Sequence, residues 1–181
     1  MLFYENYNNN LYLLNSVLDN NNEVIEIQSV MTPTFADIDG DLDLDFFVGN
    51  VIGTVSMYEN ISNVNDTVPI FELTTNFWQE IYIVGPSQRH GASAITFIDL
   101  DADNDLDLTW GDYYQQSLYI IWNIGDINNP IMDIDNIINQ YPPQEPIVSA
   151  GLNMPSFSDI DLDGDKDLFI TVLSGAYGFQ L

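Results

Sequence analysis

FADIDGDLDLDFFVGN, residues 35–50, returns without a gap as FIDLDADNDLDLTWGD at 97–112 and as FSDIDLDGDKDLFITV at 157–172. Each copy opens on a phenylalanine, sets aspartate at alternate positions over the loop and runs into an apolar stretch. Phe35, Phe97 and Phe157 mark nearly equal steps along the chain. A fixed period of this kind marks an array in which each repeat is one supersecondary unit. A second landmark follows the first two copies: TVSMYEN ends at Asn60 and SLYIIWN at Asn123, at almost the same remove from Asp37 and Asp99. MLFYEN, ending at Asn6, repeats that landmark at the start of the chain.

Around these anchors the pattern predicts strands throughout. A short strand precedes each loop (32–36, 92–98, 154–158), and an apolar run follows it: FFVGN, LTWGD or LFITV. The segments ending in Y-E-N or I-W-N come next, then runs such as IFELTTN. All are short, rich in β-branched and aromatic residues, and bounded by Gly, Asn, Pro and Asp. No stretch carries a sustained helical period, IMDIDNIINQ at 131–140 being the nearest. The expectation is an all-β chain, a partial β-propeller of four-stranded antiparallel blades. Counting from the landmarks gives about two full blades and two half blades. Residues 1–30 are the outer strands of a truncated blade, 31–90 and 91–152 complete blades with the first and second loops, and 153–181 inner strands with the third. The chain then reads as a fragment of a longer propeller.

The loops state the chemistry. A hard cation such as Ca²⁺ takes six to eight oxygens at about 2.3–2.6 Å. Aspartates at positions 1, 3 and 5 of a curled loop aim alternate side chains at one point, and their short stems hold the oxygens near the backbone. The side-chain ligands expected on this logic are Asp37, Asp39, Asp41 and Asp45; Asp99, Asp101, Asp103 and Asp107; and Asp159, Asp161, Asp163 and Asp167. Asp43, Asp105 and Asp165, at position 7, are expected to offer backbone carbonyls with their side chains outward. About three calcium sites result. Position 6 calls for a left-handed backbone, which suits Gly164 and Asn104 and suits Leu42 badly, marking the first site as the most strained or weakest. An EF-hand needs glutamate at position 12, where this chain has Val48, Trp110 or Ile170. Mg²⁺ fits less well than Ca²⁺, because it keeps its waters and resists all-protein cages.

Composition points the same way. There are 28 acidic residues against two basic ones, Arg89 and Lys166, for a net charge of −26. Nucleic-acid binding and attraction to anionic membranes both need basic residues, so neither is expected. The absence of cysteine removes disulfides, thiolate zinc sites and cysteine nucleophiles together. No apolar run approaches the roughly 20 residues of a membrane helix, and the first residues lack the pattern of a signal peptide.

With these residues in hand, the chain resembles the FG-GAP and VCBS-type repeats of integrin-like propellers. The resemblance spans essentially the whole chain and rests on F-x-D-x-D-x-D-x-D-x-D-L, met at Phe35, Phe97 and Phe157 with only Phe46 replacing the last leucine. It departs from the pattern at Leu42, at Ala102 and in having no literal FG…GAP string. It implies calcium held in the hairpin between the first two strands of each blade, in a secreted or cell-surface protein that mediates adhesion or ligand binding. Protein or glycan ligands and the remaining blades of a parent propeller are the partners it implies.

Other candidates are fewer. His90, the single histidine, sits beside Arg89 in a loop with no partner for a catalytic triad, so no enzyme is expected. Trp110 and Trp122 lie in strand runs and read as packing, whereas Tyr113 and Tyr114, in the polar turn DYYQQS, are the candidate ligand-binding aromatics. A lectin-like glycan binder, or the propeller part of a polysaccharide-degrading enzyme, is the alternative function. The triplets at Asn60-Ile61-Ser62 and Asn65-Asp66-Thr67 match glycosylation acceptors.

Overall fold

The computed structural model describes residues 1–27, 31–63, 65–84, 93–113, 115–149, 151 and 153–172. Among these, the strands run in chain order as β1 (Leu2–Tyr7), β2 (Asn10–Ser16), β3 (Leu18–Asp19), β4 (Pro33–Ala36), β5 (Asp45–Gly49) and β6 (Val55–Asn60), followed by β7 (Ile70–Thr75), β8 (Ala94–Ile98), β9 (Asp107–Gly111), β10 (Tyr119–Ile121), β11 (Asn153–Ser158) and β12 (Asp167–Val172). The described residues contain no α-helix; Trp78–Glu80 and Ile134–Asn136 are single 3₁₀ turns, the second being all that comes of the weak helical signal at 131–140. The chain is all-β, as its alternation and composition predict, and no helix among the described residues is long and apolar enough to cross a membrane.

The strands form several small antiparallel sheets. In the first, β4, β5, β6 and β7 pair in sequence order, and in the second β8, β9 and β10 do the same. Bridges from Ile120 to Ile138 and from Asn123 to Met132 continue the second sheet outward. β11 pairs with β12, and β1 with β2. The β1–β2 hairpin reproduces β6–β7 in detail: both ladders slip at one point, between Phe3 and Tyr4 and between Met57 and Tyr58, and the pairs beyond the slip correspond. One element has no sequence precedent. β3 adds to the outer edge of β7 in parallel, Leu18 opposite Ile70 and Asp19 opposite Phe71, with Asn20 Nδ2 donating to Glu72 Oε1 at 2.8 Å. A strand of only two residues is too short to show a periodicity.

Side-chain alternation divides the interior into two cores. Every residue of β5 is buried. Phe46 and Val48 point to one side, where they meet Val17, Ile25 and Phe71, with Met1 and Phe3 of the hairpin packed against them. Phe47 points to the other side, toward Ile95, Leu108 and Trp110 of the second sheet, with Trp78, Ile81 and Ile83 wedged between. Its ring centroid lies 4.6 Å from that of Phe97. Burying a phenylalanine is worth about 1.5–3 kcal/mol, so such positions hold the sheets face to face. Glycine sets the closest approach. A Cβ on Gly49 would lie 2.6 Å from the Ser93 carbonyl oxygen, and one on Gly111 would lie 1.9 Å from that of Asn153. These are equivalent contacts, each between an inner strand and the start of the next.

Candidate metal centres

The aspartate loops join β4 to β5, β8 to β9 and β11 to β12, each linking a pair of antiparallel strands. In each loop the structure brings positions 1, 3 and 5 together. Carboxylate oxygens of Asp37, Asp39 and Asp41 lie within 4.8 Å of one another, as do those of Asp99, Asp101 and Asp103, and of Asp159, Asp161 and Asp163. Each group could hold a metal ion.

Backbone amides hold the curl. The position-6 N–H donates to Oδ2 of position 1 in every loop: Leu42 to Asp37 at 3.2 Å, Asn104 to Asp99 at 3.1 Å and Gly164 to Asp159 at 3.2 Å. The position-7 N–H donates to Oδ1 of position 5, at 3.0, 3.1 and 3.2 Å. The left-handed backbone expected at position 6 is present, with φ of 77° at Leu42, 75° at Asn104 and 106° at Gly164. Position 4 is left-handed as well, at Gly40, Ala102 and Leu162, which the sequence reading missed. Gly40 is further constrained, since a Cβ there would lie 2.8 Å from Asn128 Oδ1 and 3.1 Å from the Ile127 carbonyl oxygen. The turn at 126–129 of the second sheet thus rests on the first loop.

Position 9 stands apart from the convergent groups and has a role of its own. Asp107 Oδ2 accepts the Leu100 N–H at 3.0 Å, closing its loop, while Oδ1 accepts the Asn123 N–H at 2.8 Å. Asp45 Oδ1 accepts the Asn60 N–H at 2.9 Å, and Asp167 Oδ2 accepts the Ile160 N–H at 3.0 Å. Asn60 and Asn123 are the landmarks that recur after the first and second aspartate loops. Their spacing is the length of chain needed to bring the third strand's end back to the loop. Each asparagine then ties down the chain just beyond it: Asn123 Oδ1 accepts the N–H groups of Gly125 and Ile131 at 3.0 and 2.8 Å, and Asn60 Oδ1 accepts the Ser62 N–H at 3.1 Å.

Position 7 divides. Asp165 is exposed and Asp43 half-buried, whereas Asp105, expected to point outward, is buried. Burial, reinforced by Asp103, Asp101 and Asp99, pushes the Asp105 carboxyl up to about 6. Burial likewise pushes Asp45 and Asp107 up to about 6, against the lowering effect of their backbone hydrogen bonds. Oδ1 of Asp37 and Oδ1 of Asp105 are buried with no hydrogen-bond partner among the described residues. A buried carboxylate oxygen without a donor is costly, and a bound cation would satisfy it. The donor set, all oxygen and anionic, suits a hard ion.

Of the aromatic candidates, Tyr113 is half-buried and Tyr114 lies outside the described residues, as do His90 and Arg89. Trp78 and Trp110 belong to the core between the sheets, and Trp122 packs edge-on against Tyr141 with centroids 6.3 Å apart. Compared with known proteins, the chain matches no family model, no curated protein and no solved structure.

Proposed function

We propose that this protein is a non-catalytic, calcium-stabilised interaction module of the extracellular space or cell surface, built from propeller-type blades. The observation that carries the reading is the threefold recurrence of converging aspartates in a strand-to-strand loop. Asp37, Asp99 and Asp159, with the aspartates two and four positions on, would hold the ion. Calcium supplies the positive charge that offsets carboxylate repulsion and stabilises the loop. Sites of this kind in extracellular modules have Kd of about 10⁻⁴–10⁻³ M and fill where calcium is millimolar, which favours a location outside the cell. At about 1 mM calcium and a Kd of about 10⁻⁴ M, each site contributes about 1.4 kcal/mol.

The blade reading draws support from the inner strands. β4 lies against β8, and β8 against β11. Together they line one groove of about 270 Å³ that includes Thr34, Thr96 and Ser156. First strands of successive blades gather about a central axis in this way. On that reading the outward loops and strand ends are free to meet a protein or glycan ligand.

Removing calcium with a chelator is expected to lower the melting temperature, and millimolar calcium to restore it. Asp159→Ala is expected to weaken calcium binding by calorimetry more than Asp165→Ala, because only the first loses a converging oxygen. Equal melting temperatures with and without calcium defeat the proposal.

A further inference from the structure

We propose that the first and second calcium sites are coupled through the hairpin of residues 123–132, each binding its ion more tightly when the other is filled. The inference rests on the calcium reading above and names how two of its sites regulate each other. One end of the connection lies in the second loop. Leu100 stands between Asp99 and Asp101, two of the converging aspartates. Asp107 Oδ2 accepts the Leu100 N–H at 3.0 Å, and Asp107 Oδ1 accepts the Asn123 N–H at 2.8 Å. An ion that fixes Asp99 and Asp101 therefore fixes Leu100, Asp107 and Asn123 in turn.

The 123–132 hairpin carries the connection across. Asn123 bridges to Met132 at its base, and Asn123 Oδ1 accepts the N–H groups of Gly125 and Ile131, one on each arm. At the tip, Asp126 Oδ1 accepts the N–H groups of Asn128 and Asn129 at 2.9 and 3.0 Å. Between the buried ends every residue is exposed except half-buried Pro130, so hydrogen bonds rather than burial set the shape of this hairpin.

The far end lies in the first repeat. Ile127 and Asn128 at the tip pack on Gly40, leaving no room there for a Cβ. Gly40 stands between Asp39 and Asp41, so this end too meets the chain between two converging aspartates. On the return arm, Gln79 Nε2 of the first repeat donates to the Pro130 carbonyl at 2.9 Å. At the base, Met132 shares a core with Ile38 of the first loop. Tied to the first repeat at tip, arm and base, this hairpin cannot shift without disturbing the first loop.

Each loop has aspartate at positions 1, 3, 5, 7 and 9, and without an ion their repulsion works against the curl. The first ion to bind must order its own loop and the hairpin tied to it. The second ion meets a hairpin already placed, so less ordering opposes it. Coupling of this kind is reciprocal.

In the full chain, Asp159→Ala disables the third loop and leaves the first and second. Adding Asp99→Ala or Asp37→Ala then leaves the first or the second site alone. By calorimetric calcium titration, the product of the two binding constants in the two-site chain is expected to exceed the product of the single-site constants about fivefold or more. Asp126→Ala loosens the exposed tip and removes no ligand, and is expected to make the two products equal. Hydrogen exchange gives a second measurement. In the chain with only the first site, calcium should slow exchange at the Gly125, Asn129 and Ile131 amides, none of which belongs to an aspartate loop. Equal products with the tip intact, an excess that survives Asp126→Ala, or amides that do not respond to the first ion overturn the coupling. Those results leave the calcium reading standing, whereas an unmodified chain that binds no calcium overturns both.

Discussion

Leu42, Ala102 and Leu162 each hold a positive φ, of 77°, 64° and 62°. A side chain in that region costs roughly 1–2 kcal/mol, because its Cβ crowds the following carbonyl. Position 6 alone singles out the first loop as strained, but position 4 restores the balance. The first loop has glycine at 4 and leucine at 6, the third has leucine at 4 and glycine at 6, and the second has alanine and asparagine. Each loop thus carries one residue poorly suited to its backbone. Leu42 and Leu162 are 91% and 85% exposed and bury almost nothing. Leu42→Gly and Leu162→Gly are each expected to stabilise the protein by about 1 kcal/mol, measured by denaturant unfolding. Gly40→Ala is expected to do the reverse, adding backbone strain to a clash with Asn128 and Ile127. The need at position 6 was legible in the letters. That at position 4 was not, because a loop's second left-handed turn depends on how its hydrogen bonds close.

The strands flanking the loops were the most legible elements, since alternation and β-branched composition point directly to them. β3 was not, and neither was the function of the landmark asparagines, although their recurrence was plain. The role of Asn123 depends on strand register: its N–H reaches Asp107, and its Oδ1 gathers Gly125 and Ile131. Asn123→Ala would leave two amide donors without their acceptor in a site where the asparagine itself is buried. A loss of about 1–3 kcal/mol is expected by denaturant titration, with melting lowered in the presence and absence of calcium alike. A residue that only held the metal would lose its effect in the chelator. Melting with and without calcium therefore separates the two roles.

A net charge of −26 on 181 residues makes the whole molecule repel itself. Asp45, Asp105 and Asp107, each pushed up to about 6, show where that repulsion meets burial. Their unfolded value is near the ordinary carboxylate range of about 4, so between about pH 4 and 6 the folded chain binds more protons than the unfolded one. Stability of the calcium-free protein therefore falls as pH rises through that window. Calcium takes the ionised form, so its stabilising increment grows over the same range. Scanning calorimetry at about pH 5 and about pH 7 should find the calcium-free protein melting lower at the higher pH, and the gap between calcium-bound and calcium-free curves wider there.

Phe46 and Phe47 are neighbours in the chain but belong to different cores. The strand that carries them is a party wall between two rooms. Any fluctuation that frees it must flood both at once. Cooperativity between hairpin and second sheet is thereby written into two consecutive phenylalanines, although the two structures are separated by the whole thickness of the first sheet.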